Sequence, residues 1–432
     1  MKRNWIWAAV SLLALSATGL RAESPKYTLA DNEKEAAKPK YLDEDANPVV
    51  NKEKQKVAKD DCDSCDACDT GTCGSQLFAG FDRFCCLGDP LKLVPDDPHR
   101  LFNIGGHVQI GYHTEGTNGF GTGLFNNYPN RVQLHQAWVH AEKVAQSDGC
   151  CLDWGFRVDY VFGTDGPDTQ AFGEPVPPAA DHWDNAWDHG GAYGHAIPQL
   201  YGEVTYGDWR VKGGHFFTIV GYEVVPATGN FFYSHSYSMT LTEPFTHTGV
   251  LAEWSVNDRL TIQGGWTLGW DTGFSGYGGD IFLGGATMQL SDELSLAYAV
   301  TAGDFGTGGG NDGYSHSIVV DWQVNDRIEY VLQSDYISNP NFVGGGGEIV
   351  SLNNYAFYKI NDCWKFGVRA EWWDNQGLPD ELGEITAGLN FRPHANLVVR
   401  PEVRWDWFED GLENNLGLRD QTVFGVDAVL TF

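Results

Sequence analysis

Three groups of side chains in this 432-residue chain have the types and spacing to do chemistry. The first is a cysteine run: Cys62, Cys65, Cys68 and Cys73, then the adjacent Cys85 and Cys86. A CxxCxxC spacing can hold zinc or an iron–sulfur cluster. It can equally be a set of disulfides in an oxidising compartment. Asp61, Asp63, Asp66 and Asp69 are interleaved with it and disfavour thiolates, which weakens the metal reading. Cys150, Cys151 and Cys363 bring the total to nine, so one thiol is left over or pairs between chains.

The second group is the stretch 163–198, with Asp165, Asp168, Glu174, Asp181, Asp184 and Asp188 and neither Lys nor Arg. Carboxylates at this density could share a divalent cation, and His182, His189 and His195 could add transition-metal ligands. No EF-hand-like spacing is present, and such a run is more often a solvated outer face. The third group is the stretch 219–247. It carries Tyr222, Glu223, Phe231, Phe232, Tyr233, His235, Tyr237, Glu243, Phe245 and His247. That is too many aromatics for a solvated loop, so the segment is expected to pack inside a larger structure. Its Ser234-His235-Ser236 cluster is the one place that tempts an enzyme reading, such as a lipase. No nucleophile elbow surrounds it, so no catalytic residue and no cofactor are expected.

The elements that must position these groups divide the chain. Lys2 and Arg3 precede an apolar run over 5–20, and Ala22 offers a cleavage position, so 1–22 reads as a secretory signal peptide. The run is shorter than the roughly 20 residues a helical span needs, which disfavours an uncleaved anchor. No later run is long enough either, so membrane residence must be by strands. Residues 23–60 are charged in both signs and poor in large apolar groups, as a flexible or partly helical periplasmic linker would be. Residues 61–100 form a disordered Cys-rich segment in this reading. The formal net charge of -30 argues against a nucleic-acid partner, because phosphates would be repelled.

From residue 101 to 432 the pattern becomes short alternations of apolar and polar residues, the period-2 signature of strands with two different faces. In 397–407, Leu397, Val399, Val403, Trp405 and Trp407 alternate with Arg400, Glu402, Arg404 and Asp406. In 153–162, Trp154, Phe156, Val158, Tyr160 and Phe162 alternate with Asp153, Arg157 and Asp159. Sixteen such segments can be counted, the outermost near 101–114 and 422–432. Every second connection is short, such as Gly207-Asp208, Asn257-Asp258-Arg259 and Asn361-Asp362; the others are long. Strict alternation of seven short turns with eight long loops predicts an all-β fold: a transmembrane antiparallel up-and-down barrel of about 16 strands in an outer membrane.

Aromatic placement agrees. Trp154, Trp209 and Trp364 follow short turns, Trp254 and Trp322 precede them, and Trp270, Trp372, Trp407, Tyr112 and Tyr336 lie near long loops. Two interfacial belts would produce this. The chain closes on Phe432 with Phe424, Val426, Ala428 and Leu430 at period 2 before it. That ending is similar to the signal by which barrel assembly machinery recognises outer-membrane barrels. In this topology all nine cysteines fall on the periplasmic side, so disulfides could pin the Cys-rich segment to the rim.

The stretch 199–254, strongest in GYEVV, FYSHSY and EPFTHTG, resembles the OmpL-like β-barrel porins, and the resemblance extends over most of 100–432. It implies an outer-membrane barrel and passive passage of small hydrophilic solutes or ions. By the same resemblance the loop 219–247 would fold into the lumen as a constriction, with Tyr222, Glu223, Tyr233, His235, Glu243 and His247 as its candidate residues. Glu223 and Glu243 would favour cations; a structural plug or latch is the other reading. A barrel this wide admits water, and the polar strand halves would line it: Arg157, Asp159, Glu203, Arg210, Lys212, Arg369, Glu371, Arg400, Glu402 and Arg404. These charges would tune ion preference or simply pair and stiffen the wall. Trimers are usual for sixteen-stranded porins, by analogy only. A non-conducting structural or adhesion barrel is the rival class.

Overall fold

The computed structural model describes residues 87–432 apart from 96–99, 115–124, 147–150, 177–178, 189–190, 276–277, 307–309, 340–346, 377–379 and 409–419. The expectations for the signal peptide, the linker and Cys62, Cys65, Cys68, Cys73, Cys85, Cys86 and Cys150 lie outside the described residues.

Sixteen strands close an antiparallel barrel. They are β1 (Asn103–His113), β2 (Gln133–Lys143), β3 (Asp153–Gly163), β6 (Gly194–Tyr206), β7 (Trp209–Phe217), β8 (Thr246–Asn257), β9 (Leu260–Thr267) and β10 (Asp280–Gln289). They continue as β11 (Leu294–Phe305), β12 (Gly310–Asn325), β13 (Ile328–Asn339), β14 (Gly347–Lys359), β15 (Trp364–Asn375), β16 (Asp380–His394), β17 (Leu397–Phe408) and β18 (Gln421–Thr431). Each strand pairs with its neighbour in sequence, and β1 pairs with β18 to close the ring. A small hairpin, β4 (Phe172–Val176) and β5 (Ala179–His182), sits in the connection from β3 to β6. The alternation did not announce it.

The period-2 reading explains the pairing. In β13 the odd positions Glu329, Val331, Gln333, Asp335, Ile337 and Asn339 are buried, while Ile328, Tyr330, Leu332 and Tyr336 face out. A one-residue slip would exchange the two faces, so register is strongly specified. The short turns add a local device. Asn257 Oδ1 accepts from Arg259 N, and Asn325 Oδ1 accepts from Arg327 N, both at 2.9 Å. Asn361 does the same for Cys363 and Trp364. An Asx side chain standing in for a backbone acceptor is what a tight turn needs.

The outer face carries exposed apolar side chains on all sides, among them Ile110, Val158, Val250, Phe282, Val403 and Leu430. Trp154, Trp209, Trp254 and Trp322 are exposed near the short-turn ends, and Trp209 stacks on Trp254 at 5.5 Å. Among the described residues no helix is long and apolar enough to cross a membrane. Trp270 departs from the expected belt. Gly269 adopts a φ of 102°, which reverses the parity after β9, and Trp270 turns inward to stack on Phe305 at 4.5 Å.

Not every inward position is polar. Trp270, Ile281, Phe305, Ile337, Ile349, Trp373, Leu382 and Phe408 point inward near the long-loop ends and form one buried apolar cluster with Tyr237. A second cluster joins Val319, Val331, Tyr355 and Phe357 to Phe232.

The seam between first and last strands is fastened at its end, where Phe432 N donates to Gly106 O at 3.0 Å and Gly106 N donates to Phe432 O at 3.2 Å. Deleting Phe432 removes both bonds and the ring that lies over Gly106. We expect the deletion to lower the fraction of protein that runs as a compact, heat-modifiable species on gels, while Leu93→Ser at an exposed position does not.

Candidate functional site

The connection from β7 to β8 runs from Thr218 to Phe245 and is drawn inside the barrel. Its local structure is short: a 3₁₀ turn at Ala227–Gly229 and one helix, α2, at Tyr237–Thr242 (α1 is the Gly166–Thr169 turn). Ser236 caps α2 by accepting from Met239 N. Phe232, Tyr233, Tyr237 and Met239 are almost fully buried.

A loop in this position takes its backbone N–H and C=O groups out of water, and each needs a partner. The wall supplies them in a sorted way. Carboxylates take the N–H groups: Glu402 accepts from Tyr233 N at 2.9 Å and Ser234 N at 3.0 Å. Glu371 accepts from Tyr237 N and Ser238 N, both at 2.6 Å, and from Ser238 Oγ. Guanidiniums take the carbonyls: Arg400 donates to Ala227 O at 2.9 Å and Asn230 O at 2.7 Å, Arg369 to Ser234 O at 2.8 Å, and Arg404 to His235 O at 2.5 Å. Gln136 does both, donating to Val225 O and accepting from Ala227 N.

The cations are themselves paired, as buried charges must be. Arg400 is held by Asp427 at 2.5 Å, Arg404 by Asp406 at 2.6 Å, and Arg369 by Glu384 and by Glu223 of the loop at 2.7 Å. Tyr237 Oη donates to Asp406 at 2.9 Å, and the rings of Phe232 and Tyr237 lie under Arg369 and Arg404.

The two loop carboxylates behave differently. Burial opposes ionisation of Glu223, but Arg369 and His235 outweigh it and hold the carboxyl below its usual range. Burial, with Asp335 close by, pushes the Glu243 carboxyl well above that range, and Gln333 donates to it. Glu223 thus enters the loop as one half of an ion pair with Arg369, whereas Glu243 sits against Gln333 with its carboxyl pushed up by burial.

Of the sequence candidates, the structure gathers Tyr222, Glu223, Tyr233, His235 and Glu243 with Arg369, Glu371, Arg400, Glu402 and Arg404. His247 lies in β8, where its ring meets Gly269 O and Thr218 Oγ1, so the loop ends two residues earlier than expected. Arg157 and Asp159 form a separate buried group with Glu142 and Trp138, and Glu203 caps Ala145 N. Arg210 and Lys212 stand nearer the short-turn end, Lys212 over the Phe216 ring. Ser234 and His235 anchor the loop, with Ser234 Oγ bound by Arg369 and His235 beside Glu223 at 3.4 Å.

Residues not singled out from sequence complete the site: Gln136, Glu384, Asp427 and His135, which meets Tyr233 Oη at 2.6 Å. Their inward period-2 position was the available signal. In the acidic 163–188 region the carboxylates serve as caps: Asp165 meets His135 and Gln136, Asp168 takes Asn127, Asp184 takes Ile197 N and Asp188 takes His195 N. Among the described residues no cluster of His, Cys, Asp and Glu could hold a metal. Asp181's side chain and His189 lie outside what is described.

Two substitutions test the clamp. Arg369→Leu removes the nearest cation from both Glu223 and Glu384, leaving them only His235 at 3.4 Å and Arg404 at 3.7 Å, a loss of about 3 kcal/mol, and should lower the temperature of unfolding measured by loss of the heat-modifiable band. Gly221 adopts a φ of 88°, and a Cβ there would fall 1.9 Å from a Glu243 oxygen. Gly221→Ala should therefore loosen the loop, read as faster proteolysis within 218–245, while Gly207→Ala at a solvent-facing turn should not.

The family described as "Putative beta-barrel porin-2, OmpL-like" matches residues 101–432. No curated protein matches the chain. In vitro folded OmpT of Vibrio cholerae, an outer membrane protein solved in a trimer form, is similar over 77% of this chain and 99% of its own, with 10% identity and a TM-score of 0.50. A mutant of Rh. blastica porin covers 77% and 100%, with 14% identity and a TM-score of 0.48. The outer membrane channel DcaP of Acinetobacter baumannii covers 77% and 97%, with 13% identity and a TM-score of 0.47. At these identities the likeness to OmpT speaks for the fold alone. The closed sixteen-stranded barrel and the family match over 101–432 together show that this chain is an outer-membrane barrel belonging to the OmpL-like β-barrel porin-2 family.

Proposed function

We propose that the barrel is a porin through which small hydrophilic solutes or ions diffuse passively, and that the 218–245 loop sets the width of the path. The observation that carries this is the loop itself. A purely structural barrel can fill its lumen with side chains alone, whereas this chain sends a whole backbone segment inward and fastens it by wall charges at Glu371, Arg400, Glu402 and Arg404. A backbone segment held in the lumen by charged wall groups sets both the width and the field that a passing solute meets. The role is non-enzymatic in this reading, since Ser234 and His235 are committed to the clamp.

One observation favours the rival reading of a non-conducting structural barrel. The inward apolar cluster from Trp270 to Phe408 narrows the long-loop end over Tyr237. Under the porin reading that cluster is the outer boundary of the constriction, and passage requires the loop to shift.

Export by a signal peptide ending near Ala22 and recognition of Phe432 by the assembly machinery belong to the same proposal. So does a homotrimer. The rim reading of the cysteines gains support from the start of the described chain: Ala395 N donates to Leu87 O, and Leu91 exchanges two bonds with Asn396 at the β16–β17 turn. Cys363 is buried at the neighbouring β14–β15 turn, and Cys151 is exposed at the start of β3.

Two measurements check these statements. Purified mature protein in planar bilayers should give stable open steps, and Glu402→Ala, which frees Tyr233 N and Ser234 N, should raise the step size or the open fraction; silence in both proteins would leave the structural barrel. Non-reducing mass mapping should find a bridge between Cys363 and a cysteine of 62–86, and its absence removes the pinned rim.

A further inference from the structure

A cavity of about 480 Å³ lies between the inner loop and the short-turn ends of the strands. Its two sides differ in chemistry. The loop side carries most of the apolar surface, with Ile219, Val220, Tyr222, Phe231 and Phe245, beside Glu223 and Glu243. The wall side carries Arg210, Lys212, Lys359, Lys365 and Arg392.

The counter-charges around the cavity are largely spoken for. Glu203 stands 3.8 Å from Arg210, Glu329 pairs with Lys365 at 2.8 Å, and Asp362 pairs with Lys359 at 2.7 Å. Glu223 is engaged by Arg369 on its far side, and Glu253 accepts from Gln263. Glu243 also reaches the cavity, accepts from Gln333, and has its carboxyl pushed up by burial. Arg392 is left. It is half-buried, on the inward side of β16, and among the described residues its guanidinium meets no carboxylate and no carbonyl. A partly desolvated guanidinium facing a cavity with an apolar opposite wall is a site built for an amphipathic anion, because it offers two parallel donors to an oxyanion and a dry surface to the rest of the molecule.

We propose that this vestibule binds organic anions with an apolar body, such as aryl or alkyl carboxylates, with Arg392 taking the carboxylate and Tyr222, Phe231 and Phe245 taking the body. This rests on the porin reading for its purpose, since the bound molecule would be a transported solute, but not for its test. The whole-chain charge of -30 would by itself suggest the opposite preference. The local field is set by the nearest groups, because distant exposed charges are screened within about 8 Å at physiological salt.

The probes are a matched pair, 3-phenylpropionate and 3-phenylpropylammonium, identical in apolar body and opposite in charge. Calorimetric titration of the full mature protein in neutral detergent should give saturable binding of the carboxylate and none of the ammonium. Arg392→Gln should weaken the carboxylate by about tenfold, as loss of a charged hydrogen bond does, and Arg392→Lys should retain most of it. Equal binding of the two probes, no saturable binding of the carboxylate, or an unchanged affinity in Arg392→Gln would overturn the proposal. The comparison of the two probes on the wild-type protein decides the matter even where a variant does not fold. Because no current is measured, a silent barrel that binds the anion would sink the porin reading and leave the site, and a conducting barrel that ignores it would do the reverse.

Discussion

A peptide backbone placed inside a barrel must find a partner for every polar group it takes out of water, and the arrangement of this lumen follows from that requirement. The segment 218–245 carries only one short helix, so it satisfies few of its own groups. The wall answers with charged side chains whose sign matches the group they meet: Glu371 and Glu402 for N–H, Arg369, Arg400 and Arg404 for C=O. Each guanidinium then needs its own carboxylate, which explains Glu384, Asp406 and Asp427. What looks along the strands like a row of pore charges is, at this level, a network fastening a loop.

That network accounts for the dryness of the barrel's middle. Arg369 and Glu384 are fully buried, and Arg404 and Arg400 nearly so. Charges this deep are worth little as net stabilisation, because pairing only offsets desolvation, but removing one partner is expensive. The consequence is specificity of placement: the loop has one position in which all of these groups are satisfied. Apolar packing sets the same position, since Phe232 meets Phe357 and Val319 while Tyr237 joins the cluster near the long-loop end. The part of the lumen not filled in this way is the vestibule toward the short turns, where Arg392 is not used by the clamp.

The sequence by itself determined the strands, and for a plain reason. Side chains on a strand alternate between two solvents, here lipid and lumen, so burial is written at period 2 and needs no knowledge of distant residues. The sixteen strands, the short Asn-Asp turns, the parity of Arg369, Glu371, Arg400, Glu402 and Arg404, and the family resemblance in EPFTHTG were all legible. The departures also have local causes: Gly269 at positive φ reverses the parity that would have sent Trp270 outward.

Only the tertiary structure decided what the inward side chains meet. Period 2 says that Glu402 points into the lumen; it does not say that the lumen there holds Tyr233 N and Ser234 N, 169 and 168 residues earlier in the chain. Whether Glu223 is a free anion or half of an ion pair depends on Arg369, 146 residues away in sequence, lying against it at 2.7 Å. Facing is a local property of a strand, whereas pairing depends on ring closure and on the path of a loop, and both of those are set by contacts between residues far apart in sequence.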